Sequence, residues 1–271
     1  MAVATIGTEH VLAALQPIWK AKPETARRVR GRIENILDAA KVQGLRSGEN
    51  PARWRGHLDH LLPKRARHTR GHHAAMPYAE VPAFMAALAG REAIAARALE
   101  FTILSAVRSG ETLGATWAEV DLAAGVWTIP GARMKAGTEH RVPLSPRSVA
   151  VLKAVQPLNT DDRSDAPLFT STNGGALSGM AMAMLLRRMV SAVTMHGFRS
   201  AFRDWAAEST AFAHEVCEMA LAHAISNKVE AAYRRGDLFD KRRRLMDDWA
   251  VYCSSDRGAG VEVTPIRRAM A

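Results

Sequence analysis

The chain has little cysteine, little tyrosine and no long apolar run. Cys217 and Cys253 are the only thiols in 271 residues, and neither stands in a metal-binding spacing. That excludes a disulfide framework and the common zinc modules, and both thiols are expected to be buried. No apolar stretch approaches the roughly 20 residues of a membrane span. The N-terminus lacks a basic-then-apolar signal segment, so the chain is expected to stay in the cytoplasm. No glycine-rich phosphate loop and no internal repeat are visible. The sequence therefore names no cofactor and no metal. The only histidine cluster, His68, His72 and His73, lacks a cysteine or acidic companion.

What is present is positive charge. The formal net charge is +10, and it is unevenly spread. Residues 1–75 hold 14 Lys and Arg against 6 Asp and Glu, net +8, whereas residues 76–271 hold 23 against 21, net +2. Lys and Arg that neutralise phosphates release counterions, so a basic chain favours a polyanion partner. With 48% hydrophobic residues the chain can also build a real core.

The front reads as a small helical unit. Thr8 caps a short helix through Leu15. Pro23 opens a longer one with apolar positions at Val29, Ile33, Ile36, Leu37 and Ala40, and Gly44 stops it. Its other face carries Arg27, Arg28, Arg30 and Arg32. A third short helix is expected to hold Trp54, Leu58, Leu61 and Leu62, with Arg53 and Arg55 beside it. Residues 67–77, following Lys64 and Arg65 and including Arg67, read as a basic linker that ends at Pro77.

From residue 78 the pattern changes. Helices are expected around Tyr78–Leu88 and Glu92–Ala106. Three short β-rich segments follow, near Trp117–Leu122, Val126–Pro130 and His140–Leu144, read as a small antiparallel sheet. Helical patterns resume at Pro146. The expected fold class is thus α+β and mainly helical: a helical unit over 1–66, a linker over 67–77, a mixed domain with a three-stranded sheet over 78–255 and a tail over 256–271.

Several residues carry chemistry in order. Arg108 follows an apolar helix, where a guanidinium fork suits two phosphate oxygens, and Glu111 stands three residues on to brace it. Lys135 lies between two predicted strands and is placed to donate a proton; Arg133, His140 and Arg141 compete for that role. His196-Gly-Phe-Arg199 marks a helix entry that shares one face between a proton relay and an anion ligand. His223 and Tyr233 follow, the tyrosine flanked by Arg234 and Arg235. Tyr78 and Tyr252 sit in helical patterns as packing residues. Each motif alone is more often a surface ion pair, a turn lysine or a core tyrosine; the ordered set carries the argument.

The order Arg108, Lys135, His196, Arg199, His223, Tyr233 resembles the tyrosine recombinases, the phage-integrase family. The stretches Arg133-Met-Lys-Ala-Gly-Thr-Glu-His-Arg-Val-Pro-Leu-Ser145, His196-Gly-Phe-Arg-Ser-Ala-Phe-Arg-Asp-Trp-Ala-Ala-Glu208 and Ala231-Ala-Tyr-Arg-Arg-Gly-Asp-Leu-Phe239 are similar to the branch typified by satellite-phage P4 and genomic-island integrases.

The resemblance implies that Arg108 and Arg199 clamp the scissile phosphate, Tyr233 attacks it to form a 3′-phosphotyrosine, and Lys135 protonates the leaving 5′-oxygen. His196 then serves as base or phosphate donor, His223 orients the site, and Glu111 holds Arg108 and His196. No ATP or metal ion is implied. The implied partners are double-stranded DNA at attachment-site core sequences, further copies of the chain up to a synaptic tetramer, and accessory DNA-bending proteins at the bacterial nucleoid. A C-shaped clamp around DNA is the implied form. The basic residues Arg27, Arg28, Arg30, Arg32, Arg53, Arg55, Lys64, Arg65, Arg67, Arg234 and Arg235 are the expected DNA contacts. The family's usual arm-binding domain and the first core-binding helix have no counterpart here, so an N-terminally truncated member is expected. Two other readings are a silent integrase that only occupies core sites, and a type IB topoisomerase. The tail is either a docking strand for a neighbouring subunit or disordered.

Overall fold

The computed structural model describes residues 1–63, 74–158, 163–171, 174–190, 192–223 and 236–255. Lys64, Arg65, Arg67, the three clustered histidines, Tyr233, Arg234, Arg235 and the tail over 256–271 lie outside the described residues. Two units divide at Gly71 and His72. Among the described residues no helix is long and apolar enough to cross a membrane.

In the first unit, α1 (Thr8–Trp19) packs on α2 (Pro23–Val42). The sequence placed the end of α1 at Leu15, but the helix runs on through Pro17. Leu15 and Trp19, four residues apart, are both buried; that packing carries the helix past the residue that ordinarily breaks it. Thr8 is not the cap: Gly7 is, and the Thr8 hydroxyl pairs with His57 Nε2 at 2.8 Å. The core gathers Val11, Leu15, Leu37 and Leu58, with Trp19 stacked on Trp54 at 5.4 Å.

Two further expectations about this unit fail. Ile36, counted on the apolar face of α2, is 62% exposed. The helix expected around Trp54 is broken at Arg55, which is extended, and at Gly56, whose φ is +68°; only Asp59–Leu61 (α3) is regular α-helix. A positive φ suits glycine and ends helical repetition.

In the second unit, α4 (Val81–Ala89) follows a single 3₁₀ turn at Tyr78–Glu80, and α5 (Ile94–Ser105) runs through the core. Phe101 on α5 meets the rings of Trp127 and Phe169, and Trp249 donates its indole N–H to the Ile103 carbonyl at 2.9 Å. Strands β1 (Val120–Asp121), β2 (Val126–Ile129) and β3 (His140–Pro143) form an antiparallel sheet in sequence order. Trp117–Glu119, expected as strand, is a 3₁₀ turn. The register pairs Trp127 with Val142 and Ile129 with His140.

Around them lie α6 (Ser109–Leu113), α7 (Pro146–Val155), α8 (Ala181–Met189), α9 (Gly197–Ser209), α10 (His214–Ala220) and α11 (Phe239–Cys253). Ala74–Met76, expected as the end of a linker, packs here instead: Met76 is buried, and the Ala74 carbonyl accepts from Thr194 N–H at 3.0 Å. Tyr78 and Tyr252 do pack, with the Tyr252 hydroxyl donating to the Tyr78 carbonyl at 3.1 Å. Both cysteines are buried.

Candidate active site

Two helices end on left-handed alanines, and the chemistry-bearing residues follow at once. Ala106 (φ +53°) terminates α5 just before Arg108. Ala222 (φ +48°) terminates α10 just before His223. At α10 the His223 N–H returns to the Glu218 carbonyl (3.0 Å) and the Ala222 N–H to that of Met219 (3.1 Å). This pair of bonds is a Schellman ending, which usually takes glycine at the left-handed position. Alanine there costs about 1 kcal/mol of backbone strain, so surrounding contacts must hold it.

Those contacts come from the arginines. Arg199 donates to the Ala106 carbonyl and to the Leu221 carbonyl (2.6 Å). Arg108 donates to the Ala222 carbonyl at 3.4 Å. Each guanidinium thus holds the helix ending that precedes the other part of the site. Terminal carbonyls of a helix lack intrahelical partners and carry partial negative charge, so cations are favoured there.

Glu111, in the first turn of α6, serves Arg108 twice. One oxygen accepts from the Arg108 backbone N–H (2.8 Å), closing the helix start, and the other from its guanidinium (2.7 Å). The Glu111 side chain is 6% exposed and that of Arg108 29%, so the carboxylate is inside and the guanidinium reaches outward.

Arg199 sits deeper, at 5% exposure, and its Nε has no hydrogen-bond partner among the described residues. Burial, then the nearby Arg108 charge, pushes its pKa down to about 10, against the opposing pull of Glu111 and Glu218. The guanidinium remains charged at neutral pH in a setting that an added anion would relieve.

His196 is the N-cap of α9 and is exposed. Gly197 follows because nothing larger fits: a Cβ there would stand 2.4 Å from the Ala74 carbonyl oxygen. That close approach puts Ala75 beside the site. A cavity of about 250 Å³ is lined by Ala75, His196, Arg199, Ser200, Arg203, Asp204, Leu221 and His223. Arg199 Nη2 lies 3.3 Å from His223 Nε2, and His223 Nδ1 lies 2.7 Å from Glu218 Oε2. A guanidinium only donates, so these contacts assign Nε2 as acceptor and the ring proton to Nδ1. Glu218 also takes Arg203 Nε at 2.5 Å. Burial pushes the Glu218 carboxyl up, but hydrogen bonds from His223 and Arg203 outweigh it and hold it below the ordinary range.

The structure brings Arg108, Glu111, Arg199 and His223 together, with His196 on the same cavity. Lys135 is exposed in the β2–β3 turn and makes no hydrogen bond or ion pair with the described residues. Arg133, one competitor for its role, is committed elsewhere: it pairs with Glu119 and donates to the Glu111 carbonyl.

Glu218 escaped the sequence reading as a member of this site. A carboxylate five residues before a histidine at a helix end is a faint signal for it.

Of the expected DNA contacts in the first unit, Arg27, Arg28, Arg32, Arg53 and Arg55 are exposed. Arg28 pairs with Glu24 and Arg53 with Glu49. Arg30 does not belong with them. Only 16% of its side chain is exposed, and it donates to Glu34 (2.7 Å) and to the Ala52 carbonyl (2.8 Å), as an internal strut.

Residues 1–57 match the phage integrase central domain, and residues 74–237 match the phage integrase family. Prophage integrase IntZ of Escherichia coli K12 is 31% identical over 254 residues, covering 92% of this chain and 60% of that protein. The integrase of Enterobacteria phage P4 is 29% identical over 287 aligned positions, covering 98% of this chain and 63% of that protein. The chain therefore spans less than two thirds of the length of either relative. In fold it is similar to a lambda integrase (75–356) dimer bound to a COC′ core site, with a TM-score of 0.57 at 15% identity, covering 98% of this chain and 86% of that one. With a family match over more than half of its residues, the chain belongs to the phage integrase family, the tyrosine recombinases.

Proposed function

We propose that this chain cuts and rejoins double-stranded DNA through Tyr233, in site-specific recombination of the integrase kind. One observation carries the reading: Arg108 and Arg199, from distant parts of the sequence, are fastened to adjacent carbonyls of one turn, Ala222 and Leu221, beside His223. Fixed cations aimed at one point stabilise charge that builds on phosphate oxygens in a transition state, without reorganisation.

In the proposed reaction the Tyr233 phenolate oxygen bonds to phosphorus while the bond to the 5′-oxygen breaks. Arg108 and Arg199 hold the nonbridging oxygens, with Glu111 keeping Arg108 in place. Lys135 gives its proton to the departing 5′-oxygen. His196 and His223 serve the phenol proton and the phosphate. The covalent 3′-phosphotyrosyl link conserves the phosphodiester's energy, so a 5′-hydroxyl from another strand reverses the step.

The exposed arginines of the first unit, with Lys64, Arg65, Arg67, Arg234 and Arg235, are proposed to neutralise backbone phosphates. Oligomers up to a tetramer at paired core sites, and action at the bacterial nucleoid, belong to the same reading.

A nicked suicide duplex carrying the core site tests it. Wild type is expected to accumulate a covalent protein–DNA adduct and Tyr233→Phe none. Equal adduct from the variant would reject Tyr233 as nucleophile. Tight gel-shift binding without adduct on any substrate would turn the protein into an occupant of core sites. Relaxation of plasmid lacking a core site would move it to topoisomerase chemistry.

A further inference from the structure

Helix α9 supplies both ends of a hydrogen-bonded chain. Arg199 and Arg203 stand four residues apart and so share one face of that helix. Between them lie Glu218, on α10, and His223, just past its end. Arg203 Nε donates to Glu218 Oε1 at 2.5 Å, Glu218 Oε2 meets His223 Nδ1 at 2.7 Å, and His223 Nε2 lies 3.3 Å from Arg199 Nη2. The Glu218 carbonyl also accepts the His223 N–H at 3.0 Å, so one residue holds the histidine by both side chain and backbone.

The two ends of this chain dictate its middle. A guanidinium only donates, and a neutral imidazole donates at one nitrogen and accepts at the other. Arg199 therefore requires a lone pair on Nε2. That leaves the ring proton on Nδ1, which requires an acceptor at residue 218. Arg203 requires a second acceptor there. A carboxylate offers one on each oxygen, whereas an amide of the same shape offers an oxygen and a donor. Burial opposes ionisation of Glu218, but hydrogen bonds from His223 and Arg203 prevail, so the carboxylate is charged at neutral pH.

We propose that Glu218 is a positioning residue for the phosphate site: held by Arg203, it fixes the tautomer and orientation of the His223 ring so that Nε2 is the atom presented to Arg199 and to the phosphate. The inference rests on the strand-cleavage reading above and deepens it, since Nε2 alone is then left to meet the substrate. The His223 side chain is 41% exposed, so packing does not lock the ring and the carboxylate must.

The test uses the full chain as wild type, as Glu218→Gln, and as the Arg203→Met, Glu218→Gln double variant. The first readout is the NMR shifts of the ring nitrogens of neutral His223 in the free protein, which report the nitrogen that carries the proton. Wild type is expected to hold it on Nδ1. In Glu218→Gln the charged Arg203 takes the amide oxygen, an amide N–H faces Nδ1, and the ring proton is expected on Nε2. Without Arg203 the amide can turn over, so the double variant is expected to return the proton to Nδ1. The second readout is adduct formation on the suicide duplex, which Glu218→Gln is expected to slow by about 10²-fold.

A wild-type ring protonated on Nε2, or a Glu218→Gln ring that keeps its proton on Nδ1, overturns the inference whatever the cleavage assay shows. So does a double variant that leaves the proton on Nε2, since Arg203 would then have no hold on residue 218. Adduct formation by Glu218→Gln within about threefold of wild type also overturns it, because the tautomer would not matter to the site. The expected tautomers alongside a wild type that never forms adduct would keep the positioning of His223 and reject strand cleavage.

Discussion

Arginine is used in opposite ways in the two units. In the first, Arg27, Arg28, Arg32, Arg53 and Arg55 stand exposed, and those with partners pair with carboxylates one helical turn away or in the adjoining loop. Such pairs hold little free energy, about 0–1 kcal/mol, and release their side chains readily. In the second, Arg199 and Arg242 are buried at 5% and 1% exposure, and each is fastened to backbone carbonyls far away in sequence. The first arrangement leaves adaptable charge, as the proposed contact with a regular phosphate lattice would need. The second supplies fixed direction, at the cost of desolvation. Arg30 and Glu111 show that the boundary is not a matter of residue type: one buried strut lies among the exposed arginines, and one carboxylate among the buried cations is what allows Arg108 to reach outward.

The comparison breaks first at Arg199. If direction matters, a lysine of the same charge cannot replace it, because one ammonium cannot bond the Ala106 and Leu221 carbonyls and still face a phosphate. Arg199→Lys is expected to slow adduct formation by about 10²–10³, roughly 3–4 kcal/mol of transition-state stabilisation. Gel-shift affinity should move by less than about threefold. A lysine variant within about tenfold of wild type would show that charge alone suffices.

Arg242 carries the next largest effect, on stability. It joins α11 to the sheet: Nη1 donates to the Arg141 carbonyl (2.6 Å), Nε to the Asp237 carbonyl (2.7 Å) and Nη2 to the Asp237 carboxylate (2.7 Å). Arg242→Met fills the space and removes all three donors, so a loss of about 2–3 kcal/mol is expected in denaturant unfolding. The same edit at Arg28 should stay within about 0.5 kcal/mol. Equal losses at the two positions would erase the distinction drawn between the units.

This division also marks how far the sequence could be read. Local patterns showed α2, the three strands, the helix entry at His196–Arg199 and the Glu111 brace, because each is encoded by residues within one turn of one another. Arg30 looked like its neighbours because periodicity reports a face and not the loop that folds over it; its partner Ala52 lies well down the chain. The carbonyl partners of Arg108 and Arg199 carry no side-chain signature at all. Left-handed endings at Ala106 and Ala222 are silent for the same reason, since glycine or asparagine would have announced them and alanine does not. Hence Arg108, Arg199 and His223 were legible by their order and chemistry, whereas Glu218, known only by what it touches, was not.

The smallest effects belong to the exposed arginines, and salt dependence sharpens them best. If Arg27 and Arg32 each neutralise a phosphate, removing both should make log K against log salt shallower by about 1.8, that is about 0.9 per contact. Adduct formation from DNA already bound should change by less than about twofold, because neither side chain belongs to the reacting group. Arg30→Met separates charge from position within the same helix: it removes one unit of charge but no exposed one. Its salt slope is expected to match wild type, while the lost bonds to Glu34 and Ala52 cost about 1 kcal/mol of stability. A slope that falls by the same amount per charge removed in the double variant and in Arg30→Met would mean that this unit acts through net charge and that the exposed face of α2 has no special register on DNA. A slope that falls only for Arg27 and Arg32 places the phosphate backbone along that face.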